Sequence, residues 1–126
     1  MYIEINTKAR LAVYEQIVQQ IRYAVQEGGL KSGHSLPPVR QLAGDLMINP
    51  NTVAKAYKLL ESQKVIRGAG RKGTFIEDNA AVHIERSNQA DARYELGQLV
   101  KTFEGRGMTV KEIRLLLFNH IEKLRG

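Results

Sequence analysis

Asn51, Thr52, Lys55 and Lys58 stand at spacings that put them on one side of a helix. An asparagine amide can make paired bonds to adenine, threonine offers a hydroxyl and a methyl, and lysine reaches phosphate or guanine. Such a face suits the major groove of a duplex. Arg71 and Lys72 stand between Gly70 and Gly73, at the tip of a glycine-bounded hairpin. From there they suit a phosphate backbone or the neighbouring minor groove. Catalytic chemistry has no comparable set. No paired carboxylates fall in a plausible cleft, no glycine-rich phosphate loop opens a helix, and Ser, His and Asp show no motif spacing. No catalytic residue is therefore assigned, and the expectation is a binding protein, not an enzyme.

Metal and redox chemistry find little to work with. The chain has no cysteine, which removes disulfides, thiolate zinc sites and cysteine nucleophiles and fits a reducing interior. His34, His83 and His120 fall in a loop, a linker and a helix, and are read as surface or packing residues. No metal and no cofactor are expected. Tyr14, Tyr23, Tyr57 and Phe75 carry faces on which bases could stack, but periodicity assigns Tyr57 and Phe75 to the core.

Charge points to the same stretch. The net charge is +6, and the segment 31–76 holds eight Lys/Arg against two acids. The remainder, with eleven of each sign, is neutral. A basic face of this kind attracts polyanions through counterion release. Charge alone favours a solvated mixed surface; the residue pattern inside the window decides for nucleic acid. The chain has 126 residues, 43% hydrophobic and 25% charged, enough for one compact domain with an appendage. No apolar run approaches the roughly 20 residues that span a bilayer, and no signal-peptide pattern opens the chain. A soluble, cytoplasmic protein without a membrane partner is expected.

The elements that must carry these residues follow from hydrophobic spacing. Tyr2–Ile5 alternates and reads as an arm or an edge strand. A first helix begins near Val13, with Tyr14, Ile17, Ile21, Ala24 and Val25 on its apolar side and Gly28-Gly29 as its stop. Leu30 to Pro38 reads as a loop, because Pro37-Pro38 disfavours helix before each ring. A second helix spans about Pro38–Met47, burying Val39, Leu42, Ala43 and Leu46. Asn49 then caps a third, with Pro50 at its first position, where a missing N–H is harmless. That helix runs to about Gln63 and turns Val53, Ala56, Tyr57 and Leu60 inward. Two short helices joined by so few residues make a helix-turn-helix. Val65-Ile66-Arg67 and Thr74-Phe75-Ile76 then form the two strands of a β-wing.

These residues resemble a known family. Leu36-Pro37, Arg40, Leu42-Ala43, the run Ile48-Asn49-Pro50-Asn51-Thr52-Val53 with Lys55-Ala56-Tyr57 and Leu60-Glu61, and Gly73-Thr74-Phe75-Ile76 look like the GntR family of winged-helix regulators. The wording around Asn49 and the short tail are similar to its YtrA-like subfamily. The resemblance covers about Tyr14–Ile76. It implies a dimeric regulator, usually a repressor, on a palindromic operator, often near genes for a membrane transporter. It also implies DNA contact by Arg40 and by Asn49 to Thr52, with the wing beside them. Pro38 stands where the family usually has a capping serine, which removes a cap worth about 1 kcal/mol. Lys64 replaces a usual glycine where a left-handed turn is often needed, so a differently shaped junction is expected there. Pro50 replaces an arginine found in many relatives, so guanine reading from that position is absent.

The tail has a different character. Residues 78–88 are polar with scattered apolar residues and read as a linker or a poorly formed start to a helix. Leu96, Leu99, Val100 and Phe103 make one helical stripe, which Gly105-Arg106-Gly107 breaks. Thr109 with Glu112 is a capping box, after which Val110, Ile113, Leu116, Leu117, Ile121 and Leu124 continue to the end. An αα-hairpin this small cannot bury both stripes, so a homodimer is expected, with Leu96, Leu99, Phe103, Ile113, Leu117, Ile121 and Leu124 at its interface. A small effector could lodge between subunits, although no residue pattern argues for one. The fold expected is thus mainly α with a small β-wing: a winged helix-turn-helix over 1–77, a linker over 78–88 and a helical dimerisation hairpin over 89–126. The function expected is sequence-specific binding of double-stranded DNA by Arg40, Asn49, Asn51, Thr52, Lys55, Lys58, Arg71 and Lys72. The rival is a winged helix used as a protein-interaction or assembly module.

Overall fold

The computed structural model describes all residues, Met1–Gly126, in two units, 1–87 and 88–126. In the first, α1 (Val13–Gln26) buries Gln16, Ile17, Val18, Ile21 and Val25. It ends as its glycines require: Gly28 takes φ +83, and the Gly29 amide donates to the Ala24 carbonyl at 2.9 Å. α2 (Val39–Leu46) follows Pro38, which supplies no side-chain cap. α3 (Pro50–Ser62) is capped by Asn49, whose Oδ1 accepts from the Asn51 amide at 2.8 Å. The inward faces of α1 and α3 meet in the core, where Ile17, Ile21, Val53, Ala56 and Leu60 are fully buried. Each large aliphatic side chain enclosed there stabilises the fold by about 1.5–3 kcal/mol.

The turn of the helix-turn-helix and the exit from α3 both use left-handed residues that are not glycine. Met47 closes α2 at φ +56, and Lys64 closes α3 at φ +60. Behind Lys64 the Val65 amide donates to the Leu60 carbonyl at 2.9 Å. The lysine thus adopts the conformation a glycine would have taken, and the junction keeps the usual left-handed shape at a cost of about 1–2 kcal/mol. The chain next forms β2 (Ile66–Gly68), a 3₁₀ turn over Gly70–Lys72, and β3 (Thr74–Ile76). β2 and β3 pair antiparallel, with Arg67 opposite Phe75. A third strand, β1 (Ser35–Leu36), lies on the other side of β3 with Ser35 opposite Phe75. That stretch was expected as loop. The residue before Pro37 is held extended by the ring that follows it, which leaves Leu36 ready to pair.

The N-terminal arm does not join the sheet. Gln20 instead receives the Glu4 amide at 2.9 Å and donates to the Glu4 carbonyl at 2.7 Å. Gln16 does the same with Asn6, both bonds at 2.9 Å. Two glutamines one turn apart on α1 thereby replace a neighbouring strand, and Ile3, just before the first anchor point, is buried.

The stretch 78–88, expected as a linker, is a tight turn followed by helix. Asn79 takes φ +59, and α4 (Ala80–Gly105) starts directly after it. Ala80 and Ile84, one turn apart, are buried in the core of the first unit. In the second unit, α4 ends with Gly107 at φ +90, and the Met108 amide donates to the Phe103 carbonyl at 3.1 Å. α5 (Val110–Arg125) opens with the capping box read from the sequence: the Glu112 amide donates to Thr109 Oγ1 at 3.2 Å and the Thr109 amide to Glu112 Oε1 at 3.1 Å. The Thr109 amide, and its hydroxyl at 3.0 Å, both donate to Glu112 Oε1 and hold the carboxyl below its usual range. No helix is long and apolar enough to cross a membrane.

Of the tail residues expected at a dimer interface, Ile113 is corrected: it is only 3% exposed, so its own chain already covers it. Phe103 and Leu117 are half-buried. Leu96, Leu99, Ile121 and Leu124 stay open to solvent, and Val110, Leu115, Leu116 and Phe118 are exposed with them.

Candidate nucleic-acid interface

α3 is held by its buried side, and its other side carries the polar set. Val53, Ala56, Tyr57 and Leu60 point into the core, while Asn51, Lys55 and Lys58 are exposed and Thr52 is half-buried. The helical period makes this separation unavoidable, since the two sets lie on opposite sides of one cylinder. Arg40, the second residue of α2, is exposed, as are Arg71 and Lys72 on the 3₁₀ turn of the wing. The cap takes up one lone pair of the Asn49 acceptor oxygen, which leaves its amide N–H groups and the second lone pair to meet a ligand.

Two contacts brace this arrangement. Tyr57 reaches from the inner side of α3 and donates its hydroxyl to the Pro37 carbonyl at 2.7 Å, tying the helix to the segment that leads into α2. Burial pushes the phenol far above its ordinary range, so it stays a neutral donor. Near the start of α3, the Lys55 ammonium sits 4.1 Å from the centroid of the Tyr14 ring, across a shallow cleft that Asn49, Asn51 and Thr52 also line. Arg67 behaves differently from the other cations of the basic segment. It pairs with Glu77 at 3.4 Å and lies over the Phe75 ring, bracing the wing from within.

The structure keeps Arg40, Asn49, Asn51, Thr52, Lys55, Lys58, Arg71 and Lys72 in the first unit, on the helix-turn-helix and the wing. In the sequence Tyr14 and Tyr57 read as members of apolar stripes or as faces on which bases could stack. Their polar roles depend on residues 41 and 20 positions away, and no local pattern encodes such a meeting. His34 accepts the Lys31 amide at its Nδ1 at 3.1 Å, a turn contact. No group of three or more His, Cys, Asp or Glu side chains is placed to hold a metal ion.

Comparison with known proteins agrees with this geometry. Residues 13–76 match the family described as bacterial regulatory proteins, gntR family. The transcriptional repressor YtrA of Bacillus subtilis is 38% identical over 98 residues, which is 78% of this chain and 75% of that protein. A transcriptional regulator from Oenococcus oeni is similar in structure with a TM-score of 0.68 and 37% identity, over 95% of this chain and 99% of that one. A transcriptional antiterminator from Listeria monocytogenes also gives a TM-score of 0.68, with 35% identity over 100% of this chain and 94% of its own. The chain therefore belongs to the gntR family of bacterial regulatory proteins and is a winged-helix transcription regulator.

Proposed function

We propose that this regulator is a cytoplasmic repressor that binds duplex DNA sequence-specifically as a homodimer. α3 lies in the major groove, where Asn51 reads a base edge, and Arg40, Lys55 and Lys58 hold the flanking backbone. Arg71 and Lys72 on the wing meet the phosphates or minor groove alongside. One observation carries this reading: the entire +6 excess lies in the segment 31–76, and its exposed cations flank a helix whose other side is locked into the core. The similar protein named a repressor supports the direction of regulation.

The second subunit is inferred from the tail. Leu96, Leu99, Ile121 and Leu124 are each between 42% and 74% exposed, a density of open apolar groups on two short helices that favours burial against a copy of itself. Paired subunits would meet half-sites about 34 Å apart, one helical turn, or a multiple of it. Selection of bound fragments from genomic DNA, followed by footprinting, tests this. Enrichment of one palindromic sequence, protected on both half-sites, is expected; indifferent recovery of all fragments would contradict it.

A further inference from the structure

We infer that Tyr14 is a positioning residue for DNA contact: its ring holds Lys55 against the flank of α3, where the ammonium meets a backbone phosphate and not a base edge. This rests on the duplex-binding reading above. Tyr14 is the second residue of α1, half-buried and packed against the core, so its ring is fixed by the same α1–α3 packing that fixes the recognition helix. Lys55 is exposed, and a free lysine stem would sample many rotamers. With Nζ 4.1 Å from the ring centroid, the cation sits over the electron-rich face at the distance such attraction needs.

The consequence is directional. Asn51, Lys55 and Lys58 share one stripe of α3, and a lysine reading a base must extend away from the protein toward the groove floor. Lys55 instead leans back toward α1, over a cleft shared with Asn49 and Thr52. Drawn back toward the body of the protein, its charge stands at the groove rim, where phosphates lie. The ring engages one side of the ammonium, and the remaining N–H donors are free for phosphate oxygens. Holding the stem beforehand lowers the ordering cost of binding. Lys55 therefore contributes affinity without sequence preference, and Tyr14 sets that role from another helix.

The test uses the full chain with 13C-labelled lysine, and two duplexes, one from genomic selection and one scrambled. The Lys55 ε-methylene resonances should be shifted upfield by the ring, retained in Tyr14→Phe and lost in Tyr14→Leu. By fluorescence anisotropy, Tyr14→Leu should weaken binding about two- to fivefold, equally on both duplexes, while Tyr14→Phe binds as the parent does. In a Lys55→Met background, Tyr14→Leu should have no further effect. An unshifted Lys55 resonance, a Tyr14→Leu loss that persists without Lys55, or a Lys55→Met loss confined to the selected duplex would each overturn the inference. Should Tyr14→Leu fail to fold by circular dichroism, the resonance in Tyr14→Phe and the Lys55→Met comparison of the two duplexes decide. Parent protein that binds neither duplex overturns the duplex reading itself, and the inference with it, even if the resonance is shifted.

Discussion

Tyr57→Phe removes one oxygen and leaves the buried ring in place, so it isolates the hydroxyl that joins α3 to Pro37. The bond is 2.7 Å long and comes from a residue only 6% exposed. Its net worth is about 1 kcal/mol, in the ordinary range for a protein hydrogen bond. Pro37 is half-buried, so water can reach the abandoned carbonyl, and the larger penalty of a sealed, unpaired acceptor does not apply. For a unit of 87 residues the variant should melt about 4–8 °C lower per kcal/mol. The pH dependence gives a second and sharper reading. Burial raises the folded phenol above its ordinary value, so the stability it supplies is complete below about pH 10 and falls as pH rises beyond the unfolded value. Above that point the unfolded chain has lost the Tyr57 proton while the folded chain keeps it. The parent's advantage over Tyr57→Phe should then shrink by about 1.4 kcal/mol per pH unit. Urea unfolding of both proteins from pH 8 to 11 measures this. An unchanged midpoint at neutral pH would refute the assigned bond, and a parent–variant difference independent of pH would refute the burial of the phenol.

Three further outcomes are expected. Lys64→Gly should stabilise the chain by about 0.5–1 kcal/mol, seen as a higher urea midpoint at constant slope, because φ +60 costs lysine more than it costs glycine; a lower midpoint would show that the lysine side chain makes a contact worth more than its strain. Asn51→Ala should relax preference at a single operator position by about 1–3 kcal/mol, and a uniform loss over all sequences would assign Asn51 to the backbone. Leu99→Asp should split the dimer in sedimentation, since the carboxylate would enter the apolar seam, without changing the melting of the first unit; an undisturbed dimer would move the interface elsewhere.

The parts of the fold that local chemistry specifies were legible in the sequence. Asn49 and Pro50 fix the start of α3 within a residue because a cap and a missing N–H act only at that place. Thr109 and Glu112 do the same for α5, and the glycines around Arg71 mark the hairpin. Helix over 80–88 was not legible. Only Ala80 and Ile84 anchor it to a core built from distant residues, and Ala80, Ala81, Val82 and Ile84 cluster at its start without repeating along one side. β1 is two residues long and exists because β3, some 40 residues later, offers an edge. The candidate site divides in the same manner. Lys55 and Lys58 could be read from helical spacing, Arg71 and Lys72 from the hairpin glycines and Arg40 from the family resemblance, whereas the Tyr14 ring under Lys55 and the Tyr57 bond to Pro37 are products of packing. Ile113 fell in the expected interface because periodicity shows that a side is apolar and does not show which neighbour covers it.

The salt dependence of affinity tests duplex recognition most directly. The five cations proposed to meet DNA in each subunit, Arg40, Lys55, Lys58, Arg71 and Lys72, all exposed, would neutralise about ten phosphates for a dimer, and each neutralised phosphate contributes about −0.9 to the slope of log K against log salt. Titration of the selected palindrome and a scrambled duplex from 50 to 200 mM salt should give a slope between about −4 and −9 on the palindrome, with the palindrome bound at least about a thousandfold more tightly than the scrambled sequence. A slope near zero, or equal affinity for the two, would contradict it.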